Sequence, residues 1–261
     1  SQLERPPMEN PKNLFKAALK TGQTQLGIWN TIGGNTVPEM LGGAGFDWVL
    51  VDCEHAAIET IEVLPALQAI GQHSQVSALV RPAANDPTLF KRILDLGAQT
   101  LLVPYVQTPQ EAAAAVHAMR YGPHGMRGMA GMTRATRYGK VNDYFHTAWD
   151  ELCLVVQVET VEGLRNLDAI ATTDGVEAVF IGPADLSASM GLPGQMTHPD
   201  VDAAVGDAIK RLVEIGVPAG VMALDPDAAD RYVALGATFV AVAVDLVLLA
   251  DAIKTIKDRF V

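Results

Sequence analysis

Eight short runs rich in Val, Ile and Leu recur along this 261-residue chain, and after each one comes a longer stretch of helical character. The runs fall at 25–29, 48–53, 76–81, 100–103, 152–158, 178–181, 218–222 and 239–244. Helical patterns are expected at 37–44, 59–70, 87–96, 109–120, 161–171, 201–215, 226–235 and 246–260, with a short amphipathic helix opening the chain at 14–19. Strands that are apolar on both faces belong to a parallel sheet covered by helices. Eight such units close into a TIM (β/α)8 barrel. A doubly wound open sheet is the rival, but no glycine-rich dinucleotide fingerprint follows the first strand. Residues 1–7 carry no periodicity and are read as an expression-tag remnant or disordered tail, leaving 8–261 as one barrel.

The ends of these runs are chemically unusual. Val155–Val158 stops at Glu159, and Phe180-Ile181 stops at Gly182-Pro183-Ala184-Asp185. A carboxylate at a buried strand end needs a positive partner, which suggests a metal. Gly182 and Pro183 break the strand and remove Cβ bulk, so that following N–H groups can turn toward a ligand. Trp29, the Asp52-Cys53-Glu54-His55 segment, Arg81-Pro82, Val103-Pro104, Gln157 and Asp245 mark other strand ends. In a barrel of this type, chemistry collects at the carboxyl ends of the strands.

Glu159 and Asp185, with no converging His or Cys, suit a hard divalent ion such as Mg2+, Mn2+ or Co2+. Strand-end salt bridges, or a helix cap in the case of Asp185, are the alternative. His55 is the candidate general base, with a structural histidine as the other reading. Asp52 and Asp95 could orient it. Asp95 lies at a helix end, where a solvated acid is the default, and Glu54 reads as a salt-bridge partner. Arg81 could hold an anionic oxygen or simply neutralise the neighbouring acids. Arg120, Arg127, Arg134 and Arg137, around a long connection at 121–144, could meet a distal carboxylate or make surface and subunit contacts. No lysine falls at a strand end, which disfavours a Schiff base.

The net charge of −11 argues against nucleic-acid or membrane partners. Two cysteines in apolar runs and no cysteine-rich pattern point to a reducing, cytoplasmic setting.

Seven ordered motifs then resemble one known family. They are Gly45 to His55, Val80-Arg81-Pro82, Leu101 to Pro104, Arg120 to Pro123, Val156 to Thr160, Phe180 to Ser187 and Phe239 to Asp245. Together they resemble the HpcH/HpaI family of metal-dependent class II pyruvate aldolases. The resemblance implies a barrel whose last helix is swapped between subunits of a homohexamer, a trimer of dimers. It implies Glu159 and Asp185 as metal ligands, and no organic cofactor. Gln157, Gly182, Pro183 and the amides of Ala184 and Asp185 would hold a pyruvyl group, Trp29 would also contact the substrate, and Met222 would line the acceptor end. His55 with Asp95 would manage the proton, Arg81 would stabilise an enolate oxygen, and Asp52 would lie near the substrate hydroxyl. The implied reaction splits a 4-hydroxy-2-oxo acid, with 4-hydroxy-2-oxoheptane-1,7-dioate first among them, into pyruvate and an aldehyde such as succinate semialdehyde. The same core would also serve 5-keto-4-deoxy-glucarate or 2-keto-3-deoxy-rhamnonate, and a barrel that binds a 2-oxo acid without catalysis is the alternative of another class. Cys53 and Gly122 depart from the family pattern, and the loop from Gly125 to Met132 is where substrate preference is expected to diverge.

Overall fold

The computed structural model describes residues 8–260. Residues 1–7, read above as a tail, lie outside the described residues. Eight parallel strands close a barrel in sequential order: β1 Gln25–Asn30, β2 Trp48–Asp52, β3 Ser77–Arg81, β4 Thr100–Val103, β5 Cys153–Val158, β6 Val176–Ile181, β7 Ala219–Met222 and β8 Phe239–Val244. The helices between them are α2 Thr36–Gly42, α3 Thr60–Ile70, α4 Pro87–Asp95, α5 Pro109–Met119, α6 Tyr144–Glu151, α7 Val161–Arg165, α8 Leu167–Ala171, α9 Pro183–Ser189, α10 Pro199–Glu214 and α11 Pro226–Ala234. Before and after the barrel run α1 Leu14–Thr21 and α12 Asp245–Asp258. The TIM-type barrel expected from the alternating pattern is therefore present.

Local chemistry explains the sharper boundaries. Asp86 accepts from the N–H groups of Thr88 and Leu89, and Pro87 occupies the first turn, where its missing N–H costs nothing. Thr108 and Glu111 form a reciprocal capping box at α5. Two helices were not anticipated. One is α6, which lies inside the long connection, and the other is α9, whose N-cap is Gly182, so that Asp185 sits in the first turn rather than capping it. The helix expected over 161–171 is broken at Asn166.

The barrel interior is aromatic at its floor. Phe15 of α1 meets Phe239 edge-on at 5.4 Å and Trp48 at 6.3 Å. Gly27 is required beside Trp48, since a Cβ there would lie 2.0 Å from the indole. The α1 helix is tied to strand beginnings: the Ser77 hydroxyl accepts from Phe15 N–H at 3.1 Å, Asn13 Nδ2 donates to the Thr100 hydroxyl at 2.9 Å, and Lys16 Nζ donates to Leu152 O at 2.8 Å. It is a plug for the amino end of the barrel. Phe15 is fully buried, and truncating a side chain of this kind costs about 3–5 kcal/mol.

At the other terminus, Asp245 is structural. Its carboxylate accepts from the backbone of Thr31 and Ile32, from the Thr31 hydroxyl and from Asn30 Nδ2, all within 3.0 Å. Beyond it, α12 leaves Leu246, Leu248, Leu249, Ile253 and Ile256 exposed.

Candidate active site

The carboxyl ends of the strands open into a cavity of about 460 Å3, inside the range of about 300–1,000 Å3 usual for small-molecule sites. Ten of the residues singled out in the sequence line it. Trp29, His55, Arg81, Gln157 and Glu159 come from the ends of β1, β2, β3 and β5. Gly182, Pro183, Ala184 and Asp185 follow β6, and Met222 ends β7.

Arg81 is the most constrained side chain. Its Nε and Nη2 donate to the two oxygens of Asp52 at 2.8 and 2.7 Å, a bidentate clamp. Its Nη1 donates to Gln157 Oε1 at 3.2 Å and lies 3.0 Å from Glu54 Oε2. The Glu54 contact is electrostatic, because its angle is too poor for a hydrogen bond. The guanidinium also stacks over the Trp29 ring at 5.2 Å. Burial opposes charge on both Arg81 and Asp52, but their mutual hydrogen bonds outweigh it. Arg81 is therefore held above its usual pKa and Asp52 below its own.

Glu159 is 2% exposed. Its Oε1 accepts from Tyr105 N–H at 2.8 Å and its Oε2 from Gln157 Nε2 at 3.3 Å. The amide of Tyr105 reaches it through a left-handed backbone, φ 58°, unusual for a side chain of that size. No sequence signal marked Tyr105. Burial pushes the Glu159 carboxyl up to about 7, and Asp185 and Glu54 add to the rise. Gly182 makes room for this carboxylate, since a Cβ would lie 2.4 Å from Glu159 Oε2. His55 is largely exposed, with its Nε2 3.8 Å from Glu54 Oε1 and its N–H 3.4 Å from Asp52 Oδ1.

Three expectations need correction. Asp52 does not face the substrate space. It is 1% exposed, both its oxygens bind Arg81, and it also accepts from Glu54 N–H and Trp29 Nε1. Asp95 does not join His55 within the chain: α4 runs antiparallel to the strands and carries Asp95 to the opposite end of the barrel, where it pairs with Arg127 at 2.9 Å. The long connection, residues 120–143, does not line the cavity either. It follows a helix, α5, rather than a strand, so it lies at the amino end. There Arg127 is buried over Tyr121 at 4.5 Å, Arg134 donates to Leu96 O, and Arg120 stacks on Trp149, so within the chain these three make contacts away from the cavity, in keeping with the other reading given for them.

The HpcH/HpaI aldolase/citrate lyase family model matches residues 25–252, which takes in the barrel strands and every residue of the cavity described above. The chain belongs to this family. It is 53% identical over 253 residues to a pyruvate aldolase of Rhizobium etli, covering 97% of this chain and 99% of that protein. It is 49% identical to a hydroxypyruvate/pyruvate aldolase of Sagittula stellata, covering 94% and 96%. Among solved structures, an HpcH/HpaI aldolase/citrate lyase family protein from Burkholderia cenocepacia superposes with a TM-score of 0.91 at 37% identity, covering 95% of this chain and 99% of that one.

As a member of this aldolase family the protein is a carbon–carbon lyase, and its donor set can be weighed against a divalent ion. Among the described residues no cluster of three or more Asp, Glu, His or Cys gathers at one point. Glu159 and Asp185 are a pair, and Mg2+-type ions are often bound by one or two carboxylates with water and substrate oxygens completing the shell. Around them the charge is unbalanced: Asp52, Glu54, Glu159 and Asp185 face one cation, Arg81. An added dication fits that imbalance.

Proposed function

We propose that the protein is a divalent-metal-dependent aldolase that reversibly cleaves 4-hydroxy-2-oxo acids to pyruvate and an aldehyde. The observation carrying this reading is the convergence, on one cavity, of the Glu159 and Asp185 carboxylates, a locked guanidinium at Arg81 and an exposed imidazole at His55. A divalent ion held by Glu159 and Asp185 would supply Lewis acidity at the keto oxygen of the pyruvyl group.

The chain's own residues account for the rest. Arg81, immobilised by Asp52, presents a preorganised charge to the oxygen on which enolate charge develops. Gln157 orients both Arg81 and Glu159. As the second and third residues of α9, Ala184 and Asp185 carry N–H groups with no helical acceptor, available to the pyruvyl carboxylate. His55 takes the C4-hydroxyl proton in cleavage and returns it in synthesis. Within one chain His55 lacks an orienting carboxylate from α4, so a role for Asp95 requires a second copy. The exposed apolar face of α12 supports the swapped homohexamer implied by the resemblance. Two free cysteines support a reducing, cytoplasmic setting.

A barrel that merely bound a 2-oxo acid would have no use for an exposed base beside a clamped guanidinium. Pyruvate release from 4-hydroxy-2-oxo acids, measured after exhaustive chelation and after adding back Mn2+, Mg2+ or Co2+, tests the reading. Activity lost and then restored is the expected result, and activity indifferent to chelation refutes it. The specific substrate suggested by the resemblance is the heptane-1,7-dioate. Its far carboxylate would have to meet the outer wall of the cavity.

A further inference from the structure

The cavity extends well beyond the pyruvyl end, and its outer wall comes from α10, α11 and the loops before them. Met196, Leu224 and Ala228 make an apolar surface there, and Asp202, Asp225 and Arg231 carry its charges. None of these stood out in the sequence. Arg231 is the cation of this wall, and it is already engaged: its Nη2 donates to Asp202 Oδ1 at 3.1 Å. The Tyr232 hydroxyl donates to the same oxygen at 2.7 Å. Asp225 caps α11 by accepting from Ala228 N–H at 3.2 Å, and it has no cation of its own among these contacts. Two carboxylates against one guanidinium leave the wall with an excess of one negative charge, in a chain whose net charge is already −11.

A terminal carboxylate entering this space would meet a guanidinium held by an acid and a second acid beside it, a repulsive arrangement of the kind that sets specificity by exclusion. An uncharged chain would meet Met196, Leu224 and Ala228 at no such cost. On the aldolase reading above, we infer that the acceptor aldehyde is uncharged at its far end, and that Asp202 is the residue that excludes a terminal carboxylate by occupying Arg231. The preferred substrates are then 4-hydroxy-2-oxo monoacids with neutral tails rather than the heptane-1,7-dioate.

The test uses the full-length, metal-loaded protein and two acceptors of matched length, 4-oxobutanoate and its amide, condensed with pyruvate. The amide should show the higher kcat/KM by about tenfold at low ionic strength. The gap should narrow when ~0.5 M salt screens the wall. In Asp202→Asn, which removes the charge that neutralises Arg231, the amide-to-carboxylate ratio should fall by about tenfold. Equal or better use of 4-oxobutanoate by the wild type, or a ratio unmoved by both salt and Asp202→Asn, overturns the inference. Deuterium exchange into the pyruvate methyl group, run in parallel, separates the two levels. Exchange without reaction of either acceptor overturns the acceptor inference alone. No metal-dependent exchange overturns the aldolase reading as well.

Discussion

Glu159→Gln should make the metal-free protein more stable at pH 8. In that state burial raises the Glu159 carboxyl from 4.5 to about 7. The folded chain therefore binds this proton more tightly than the unfolded chain does. The associated stability is complete below about pH 4.5 and is lost as pH rises through about 7. At 1.36 kcal/mol per pK unit, the cost of ionising the folded state is about 3 kcal/mol at pH 8 and about 1 kcal/mol at pH 5.5. Glutamine removes the charge and keeps an oxygen for the Tyr105 N–H, but its amide faces the Gln157 amide and forfeits that hydrogen bond, a loss of about 1 kcal/mol. The net gain is about 2 kcal/mol at pH 8 and close to nothing at pH 5.5. For a chain of this size it appears as a Tm rise of about 4–8 °C. Thermal unfolding of both proteins after exhaustive chelation, at the two pH values, measures the difference directly. Mn2+ titration by calorimetry should show the variant's affinity lost, so that stability and metal binding move in opposite directions. A Tm decrease at pH 8, or a gain of the same size at both pH values, refutes the electrostatic account of Glu159.

Arg81→Lys should lower kcat/KM by about 100- to 1,000-fold while the fold survives, because a lysine still neutralises Asp52; steady-state rates near wild type would remove Arg81 from the chemistry. Arg81→Ala is the poorer probe, since it strands a buried carboxylate at a cost of about 3–5 kcal/mol. Gly182→Ala should weaken Mn2+ binding by about tenfold or more, as expected when a neighbour displaces a ligand, because its Cβ would fall 2.4 Å from Glu159 Oε2; an unchanged calorimetric Kd would contradict this. Leu249→Asp combined with Ile253→Asp places charges on the exposed apolar face of α12 and should shift sedimentation velocity to smaller species; the wild-type profile would count against a role for α12 in assembly.

How far the sequence could be read depended on whether a residue's role was local. The barrel was legible because strand and helix periods repeat eight times, and the ten cavity residues were legible because each ends or follows a strand. Asp52 was misread for want of tertiary information. Nothing in Asp52-Cys53-Glu54-His55 says that this carboxylate is spent on Arg81, 29 positions away, rather than on substrate. The resemblance, not its own surroundings, gave Asp95 a part in the proton transfer, and the length of the connection said nothing about which end of the barrel it occupies. Residues after a helix go to the amino end of the barrel, and both belong there. The outer wall was invisible because Asp202, Arg231 and Tyr232 look like ordinary helix-surface residues until α10 and α11 are packed side by side.

The electrostatics of the site begin at the floor of the barrel. Phe15, Trp48 and Phe239 close the amino end, and above them Trp29 packs on Trp48 at 6.2 Å and Phe180 on Phe239 at 6.0 Å. Arg81 rests on the Trp29 ring. The acids ringing Arg81 can therefore be hydrated only from the open carboxyl end, and burial is the largest cause of the rise in the Glu159 carboxyl. The aromatic layers that stabilise the barrel thereby create a carboxylate that is costly to ionise without a cation. Arg81 lowers this cost only in part, because a guanidinium pinned by the two oxygens of Asp52 cannot swing toward Glu159. With Arg81 fixed in this way, the negative charge at Glu159 and Asp185 is left for a cation from outside the chain, which is where the proposed divalent ion would be held.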